Sequence, residues 1–121
     1  MLFRSPHQTI SAVAWSGAGP EIVWCGAADE RGDLALGSGH DGQVWLAPRA
    51  GEPRLLATLP QPEIFAVARA GGALYAGGGP DGLVFRVEAD GRHEAWADLD
   101  ESYVWALASG ADGTLYAGAE T

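Results

Sequence analysis

The sequence predicts an all-β protein built from repeated four-stranded antiparallel units. The first observation is that its apolar residues come in short runs, separated by 18 glycines and 7 prolines. The second is that the pattern of these runs returns about every 40 residues. The third is turn chemistry between the runs: Asp41-Gly42, Asp81-Gly82, Asp90-Gly91 and Asp112-Gly113 supply the positive φ that tight hairpins need. No long segment of period 3.6 bounded by caps is present, as an α protein would require.

The repeat is explicit. VWCGAADERGDLALG, Val23 to Gly37, aligns with VWALASGADGTLYAG, Val104 to Gly118, without a gap. IFAVARAGGALYAG, Ile64 to Gly77, aligns with both after one deletion. The starts Val23, Ile64 and Val104 lie 41 and 40 residues apart, and Leu34, Leu74 and Leu115 lie 40 and 41 apart. HDGQVWLA from His40 returns 40 residues later as PDGLVFRV from Pro80. Trp15, Leu56 and Trp96 each stand eight residues before a start.

Each unit reads as four strands. The first is VWCGA, IFAVA or VWALA; the second is LALG or LYAG; the third is QVWLA or LVFRVE; the fourth is RLLATL or HEAWADL. Leu83 to Glu88 alternates with period two, as a half-buried strand does. Four antiparallel strands in about 40–45 residues is the spacing of a β-propeller blade.

The elements then follow in order. Residues 1–20 hold the end of a preceding blade, an isolated outer strand from Thr9 to Trp15. Residues 21–61 and 62–102 are blades, and 103–121 are a partial blade, all in one propeller domain. The expectation is a β-propeller fragment of about two and a half blades, truncated from a larger ring. The remaining blades come from missing chain or from oligomerisation. Leu2-Phe-Arg-Ser5 resembles the translated end of a sequencing adapter, so a non-native start is expected too.

Trp24, Phe65 and Trp105 are equivalent second residues of the first strand, and Trp45 and Phe85 are equivalent in the third. Bulky residues at one site in every blade are expected to fill the wedge between neighbouring sheets. The functional alternative is an aromatic cage around a cation.

LYAGGGPDGLVFRVEADG followed by SYVWALASGADGTLYAG resembles the repeats of bacterial β-propeller proteins of the WD40/NHL-like type. The resemblance runs from about Glu21 to the C-terminus. It implies a toroidal propeller used as a rigid interaction scaffold. The GH and WD pairs of true WD40 repeats are missing: the third strands end WLAP and FRVE, and Gly39-His40 stands between second and third strands. The architecture therefore carries over, and no functional residue does.

Composition narrows the function. Sixteen acidic residues against seven basic ones give a formal charge of −9, which argues against phosphate backbones and anionic membrane surfaces. No apolar run approaches the roughly 18 residues that span a bilayer. Cys25 is the only cysteine, so no internal disulfide or multi-Cys zinc site exists, and IVWCGA reads as buried. The compartment stays open, secreted, periplasmic or cytoplasmic.

GSGHDGQVWLA, Gly37 to Ala47, spells GxGxxG, but a dinucleotide loop must lead into a helix and this one leads into a strand. The same spacing recurs at Gly77, Gly79 and Gly82. It is a hairpin, and no cofactor is expected. His40, Asp41, Asp81 and Glu63 are the candidate ligand-facing loop residues, with Glu21, Asp100 and Glu101 near the same end. A ring of such acids suits a divalent cation, although Asp before Gly is also plain turn chemistry and no calcium loop is present. His7, His40 and His93 lie in no nucleophile elbow, so no catalytic residue is assigned. His40 is the position that the repeat leaves unexplained, since Pro80 stands there in the next unit. The expected function is a non-catalytic scaffold that binds a protein or ligand on one face. The alternatives are a metal-dependent hydrolase or lactonase and a lectin-like carbohydrate binder.

Overall fold

The computed structural model describes the backbone of Leu2–Arg4 and Thr9–Ser11 and the whole of residues 19–121. Every element among these residues is a strand, joined by turns and bends. Strands β1 (Leu2–Arg4) and β2 (Thr9–Ser11) pair antiparallel as a small hairpin. The remainder of the predicted outer strand, from Ala12 to Trp15, lies outside the described residues.

Three further antiparallel sheets follow the repeat. The first joins β3 (Val23–Ala28), β4 (Leu34–Ser38), β5 (Gln43–Ala47) and β6 (Arg54–Thr58) in sequence order. The second joins β7 (Glu63–Ala70), β8 (Ala73–Gly79), β9 (Leu83–Val87) and β10 (His93–Asp98) likewise. The third pairs β11 (Tyr103–Ser109) with β12 (Leu115–Glu120).

The sheets face one another, and the central one is the most buried. Ala35, Val44 and Leu59 of the first sheet and its outgoing link pack with Ile64, Val67, Leu74, Phe85 and Val87 of the second. β7 lies against β3 and β4, while β11 lies against β7 and β8. The first strand of each sheet thus sits on the first two strands of the sheet before it.

Glycine makes that approach possible. A Cβ on Gly37 would stand 2.7 Å from Ile64 Cγ2 and 2.6 Å from Cys25 Sγ. A Cβ on Gly77 would stand 2.8 Å from Val104 Cγ1. Ile64 and Val104, both fully buried, are knobs seated in the glycine hollows of the preceding sheet. Gly118 occupies the same repeat position, yet a Cβ there would meet only Ala106, at 3.6 Å. Val23, the matching knob of the first sheet, is 44% exposed. The two wedges are therefore filled by Ile64 and Val104, and not by the aromatic residues beside them as the sequence suggests.

The reason is a β-bulge. The pairing of β3 with β4 skips between Val23 and Cys25, that of β7 with β8 between Ile64 and Ala66, and that of β11 with β12 between Val104 and Ala106. The skipped residue is Trp24, Phe65 or Trp105, the same position in all three sheets. A bulge re-aims the extra side chain, so the large rings leave the inter-sheet core. Leu56 and Trp96 are skipped in the same way in β6 and β10.

One end of the sheets is locked by two further glycines. The Leu59 N–H donates to Gly42 O at 2.8 Å and, one repeat later, the Leu99 N–H donates to Gly82 O at 3.2 Å. With φ of 64° and 62°, Gly42 and Gly82 press against the following link, where a Cβ would overlap Gln61 O and Glu101 O. The 40–42 and 80–82 turns and the links between sheets are consequently fixed at the same end.

Candidate functional site

Glu63, the first residue of β7, organises that end. Its Oε2 accepts the Trp24 Nε1–H at 2.8 Å, which ties the bulged indole of the first sheet to the start of the second. Its Oε1 lies 3.3 Å from His40 Nδ1 and accepts the His40 backbone N–H at 3.3 Å. Gly39 leaves room for this arrangement, since a Cβ there would stand 2.6 Å from Trp24 Nε1 and 2.9 Å from Glu63 Oε2. His40 holds a φ of 74°, in the left-handed region. Proline cannot adopt that angle, so the two aligned turns differ in backbone, and His40 is indeed where the repeat breaks.

The bulged aromatic residues meet beside Glu63. Phe65 stands between the two indoles, with ring centroids 5.4 Å from Trp24 and 4.6 Å from Trp105. Tyr103 stacks on Trp105 at 5.3 Å. Trp24, Glu63, Phe65 and Trp105 line an open, mainly apolar cleft. Trp24 is 49% exposed and Trp105 47% exposed. The Trp105 Nε1–H donates to Glu120 Oε1 at 2.8 Å, so each indole is held by a carboxylate.

Charge is strongly segregated along the sheets. Half of the 16 acidic residues lie at this end: Glu21, Asp41, Glu63, Asp81, Asp98, Asp100, Glu101 and Glu120. No arginine does. Arg31, Arg49, Arg54, Arg69, Arg86 and Arg92 all fall in, or within two residues of, the turns at the other end.

Of the four residues singled out from sequence, His40 and Glu63 come together. Asp41 and Asp81 are exposed on their turns, and neither carboxylate hydrogen-bonds to that pair. Among the described residues, no group of three or more His, Cys, Asp or Glu side chains is placed to hold a metal ion. Gln61 was not anticipated. Its side chain is 1% exposed; its Oε1 accepts the Asp81 and Leu83 N–H groups at 3.1 and 3.4 Å, and its Nε2 donates to Leu83 O at 3.2 Å. The only sequence signal for it is a polar residue inside an otherwise proline-rich link.

Cys25 lies against this region without joining it. Burial pushes its thiol up to about 11, only partly offset by backbone hydrogen bonds, and the Sγ–H donates to Ile64 O at 3.5 Å. No protein-family model matches the chain, and no curated protein matches it either.

Proposed function

We propose that the chain is a stretch of β-propeller acting as a non-catalytic binding scaffold, with its ligand site at the end that carries Trp24, Phe65, Trp105 and Glu63. The three sheets are then successive blades of the WD40/NHL-like kind that the repeats resemble. The observation that carries the reading is the shared bulge. Three sheets use one irregularity to bring a large ring out of the core and onto the same end, and half-exposed aromatic clusters mark recognition surfaces.

The repeated seat of Ile64 in Gly37 and of Val104 in Gly77 supports the propeller geometry. An inter-sheet contact that recurs in one sense propagates around an axis. The 40–42 and 80–82 turns, the links and the aromatic cleft then surround the mouth of the central channel.

A lectin-like reading is favoured by one observation, the exposure of Trp24 and Trp105, since sugars stack on open indole faces. The scaffold reading is tested by assaying purified protein against ester and lactone substrates with calcium, magnesium or zinc, together with its bound-metal content. No turnover and no stoichiometric metal are expected. Turnover, or a bound metal lost on Asp41→Ala or Asp81→Ala, would replace this reading with the hydrolase one.

A further inference from the structure

We infer that the cleft lined by Trp24, Phe65 and Trp105 takes a small alkylated ammonium ion, held by the aromatic rings and the Glu63 carboxylate. This rests on the binding-scaffold reading and gives its site a ligand class. Three independent features select that chemistry.

The walls come first. Trp24, Phe65 and Trp105 provide ring surface whose quadrupole attracts a cation placed over it. Rings offer no lone pairs to a small, strongly hydrated metal ion. A bulky ammonium with methyl groups gives up little hydration and fills apolar space.

The counter-charge comes second. Glu63 lines the cleft edge, its Oε2 fixed by the Trp24 indole at 2.8 Å and its Oε1 by the His40 N–H and Nδ1, both at 3.3 Å, so its carboxylate is held in place beside the rings. Glu120 holds Trp105 in the same manner. Each indole is anchored through its Nε1–H; Phe65 packs against both and Tyr103 stacks on Trp105, and the half of each indole that stays exposed forms the wall.

The surrounding field comes third. Within residues 19–121 this end carries eight carboxylates and no arginine. A field of one sign raises the local concentration of the opposite ion. An anionic ligand would enter against that field, and a neutral one would gain nothing from it. The four lining side chains match one ammonium head group, so a free small ion is the occupant.

The test is a titration of ¹⁵N-labelled protein with tetramethylammonium chloride, read on the indole Nε1–H resonances of Trp24, Trp45, Trp96 and Trp105, each assigned among the five tryptophans of the chain by its Trp→Phe variant. Sodium chloride at equal ionic strength and tert-butanol, a neutral molecule of similar shape, are the controls. Saturable shifts of Trp24 and Trp105 alone are expected with tetramethylammonium only. Glu63→Gln, which can still accept the Trp24 N–H, and Phe65→Leu should each weaken binding about 5-fold, the equivalent of about 1 kcal/mol. Unchanged Trp45 and Trp96 resonances report that these variants fold. Equal response to tert-butanol, shifts at Trp45 and Trp96 as large as those at Trp24 and Trp105, or full affinity in Glu63→Gln would overturn the inference. A neutral sugar that moves Trp24 and Trp105 where tetramethylammonium does not would also overturn it, while leaving the scaffold reading in place.

Discussion

The Glu63 carboxylate accepts the Trp24 indole N–H at 2.8 Å across 39 residues of chain, and so joins the bulge of one sheet to the first residue of the next. Removal of one partner leaves the other facing water or unpaired. Glu63→Ala should lower stability by about 0.5–1.5 kcal/mol and release the Trp24 ring. Glu63→Gln should restore most of the loss. Urea unfolding, with the Trp24 indole resonance as local probe, separates the two variants; equal stability in both would show that the bond contributes nothing.

The hollows at Gly37 and Gly77 admit a sharper comparison. A methyl group at 77 has to displace Val104, which is fully buried, so Gly77→Ala should cost about 1–3 kcal/mol by overpacking. Gly118→Ala places the same group where only Ala106 stands nearby, and should stay within about 0.5 kcal/mol. Denaturant midpoints of the two variants decide this; equal losses would mean that backbone freedom, not the knob, sets the need for glycine.

Much of this fold was legible because its signals are local and repeat. Asp-Gly turns and short apolar runs place β3 to β12, and the 40-residue period groups them into sheets. The destination of Trp24, Phe65 and Trp105 was not legible. A bulge is a change of register between two strands, and neither strand's sequence alone records it. The three aromatic positions therefore read as core, whereas Ile64 and Val104, one residue before Phe65 and Trp105, face the neighbouring sheet. Glu63 and His40 were visible, together with Asp41 and Asp81, as candidates at one end of the sheets; that His40 and Glu63 meet was not. Trp24 as their partner was not, since its indole reaches Glu63 only after the bulge has turned it.

Gln61 gives a third prediction. Its amide satisfies the Asp81 and Leu83 N–H groups and the Leu83 carbonyl from a fully buried position. Gln61→Ala leaves those groups without partners at a place closed to water, at a cost of about 1–3 kcal/mol. Gln61→Glu should be no rescue, because it buries a charge and loses the donor to Leu83 O. Thermal unfolding of both variants checks this; a neutral Gln61→Ala would show that water replaces the amide.

The Cys25 thiol, raised from 9.0 to about 11, gives a pH dependence. Desolvation disfavours the thiolate in the folded state, so between pH 9 and 11 the native protein binds more protons than the unfolded chain. Stability from this group is present below pH 9 and falls as pH rises toward 11. A disulfide-exchange reagent should leave native Cys25 unmodified at pH 8 and react once urea unfolds the chain. Rapid labelling of the native protein at pH 8 would contradict the assigned burial.

The ends of the sheet stack complement one another. Among the described residues, Val23 is a knob with no hollow and Gly118 a hollow with no knob, in a contact that the chain makes twice internally. A head-to-tail contact between copies would seat one in the other, and such heterologous contacts propagate until a ring closes. The 121-residue chain should therefore self-associate, with a sedimentation coefficient that rises with concentration. Val23→Asp should weaken association by placing an unpaired charge in the hollow, and Gly118→Leu by filling it. Neither change touches the Ile64 and Val104 seats, so the folded core should persist by circular dichroism. A cooperatively folding monomer at all concentrations would show that these two faces do not recognise each other.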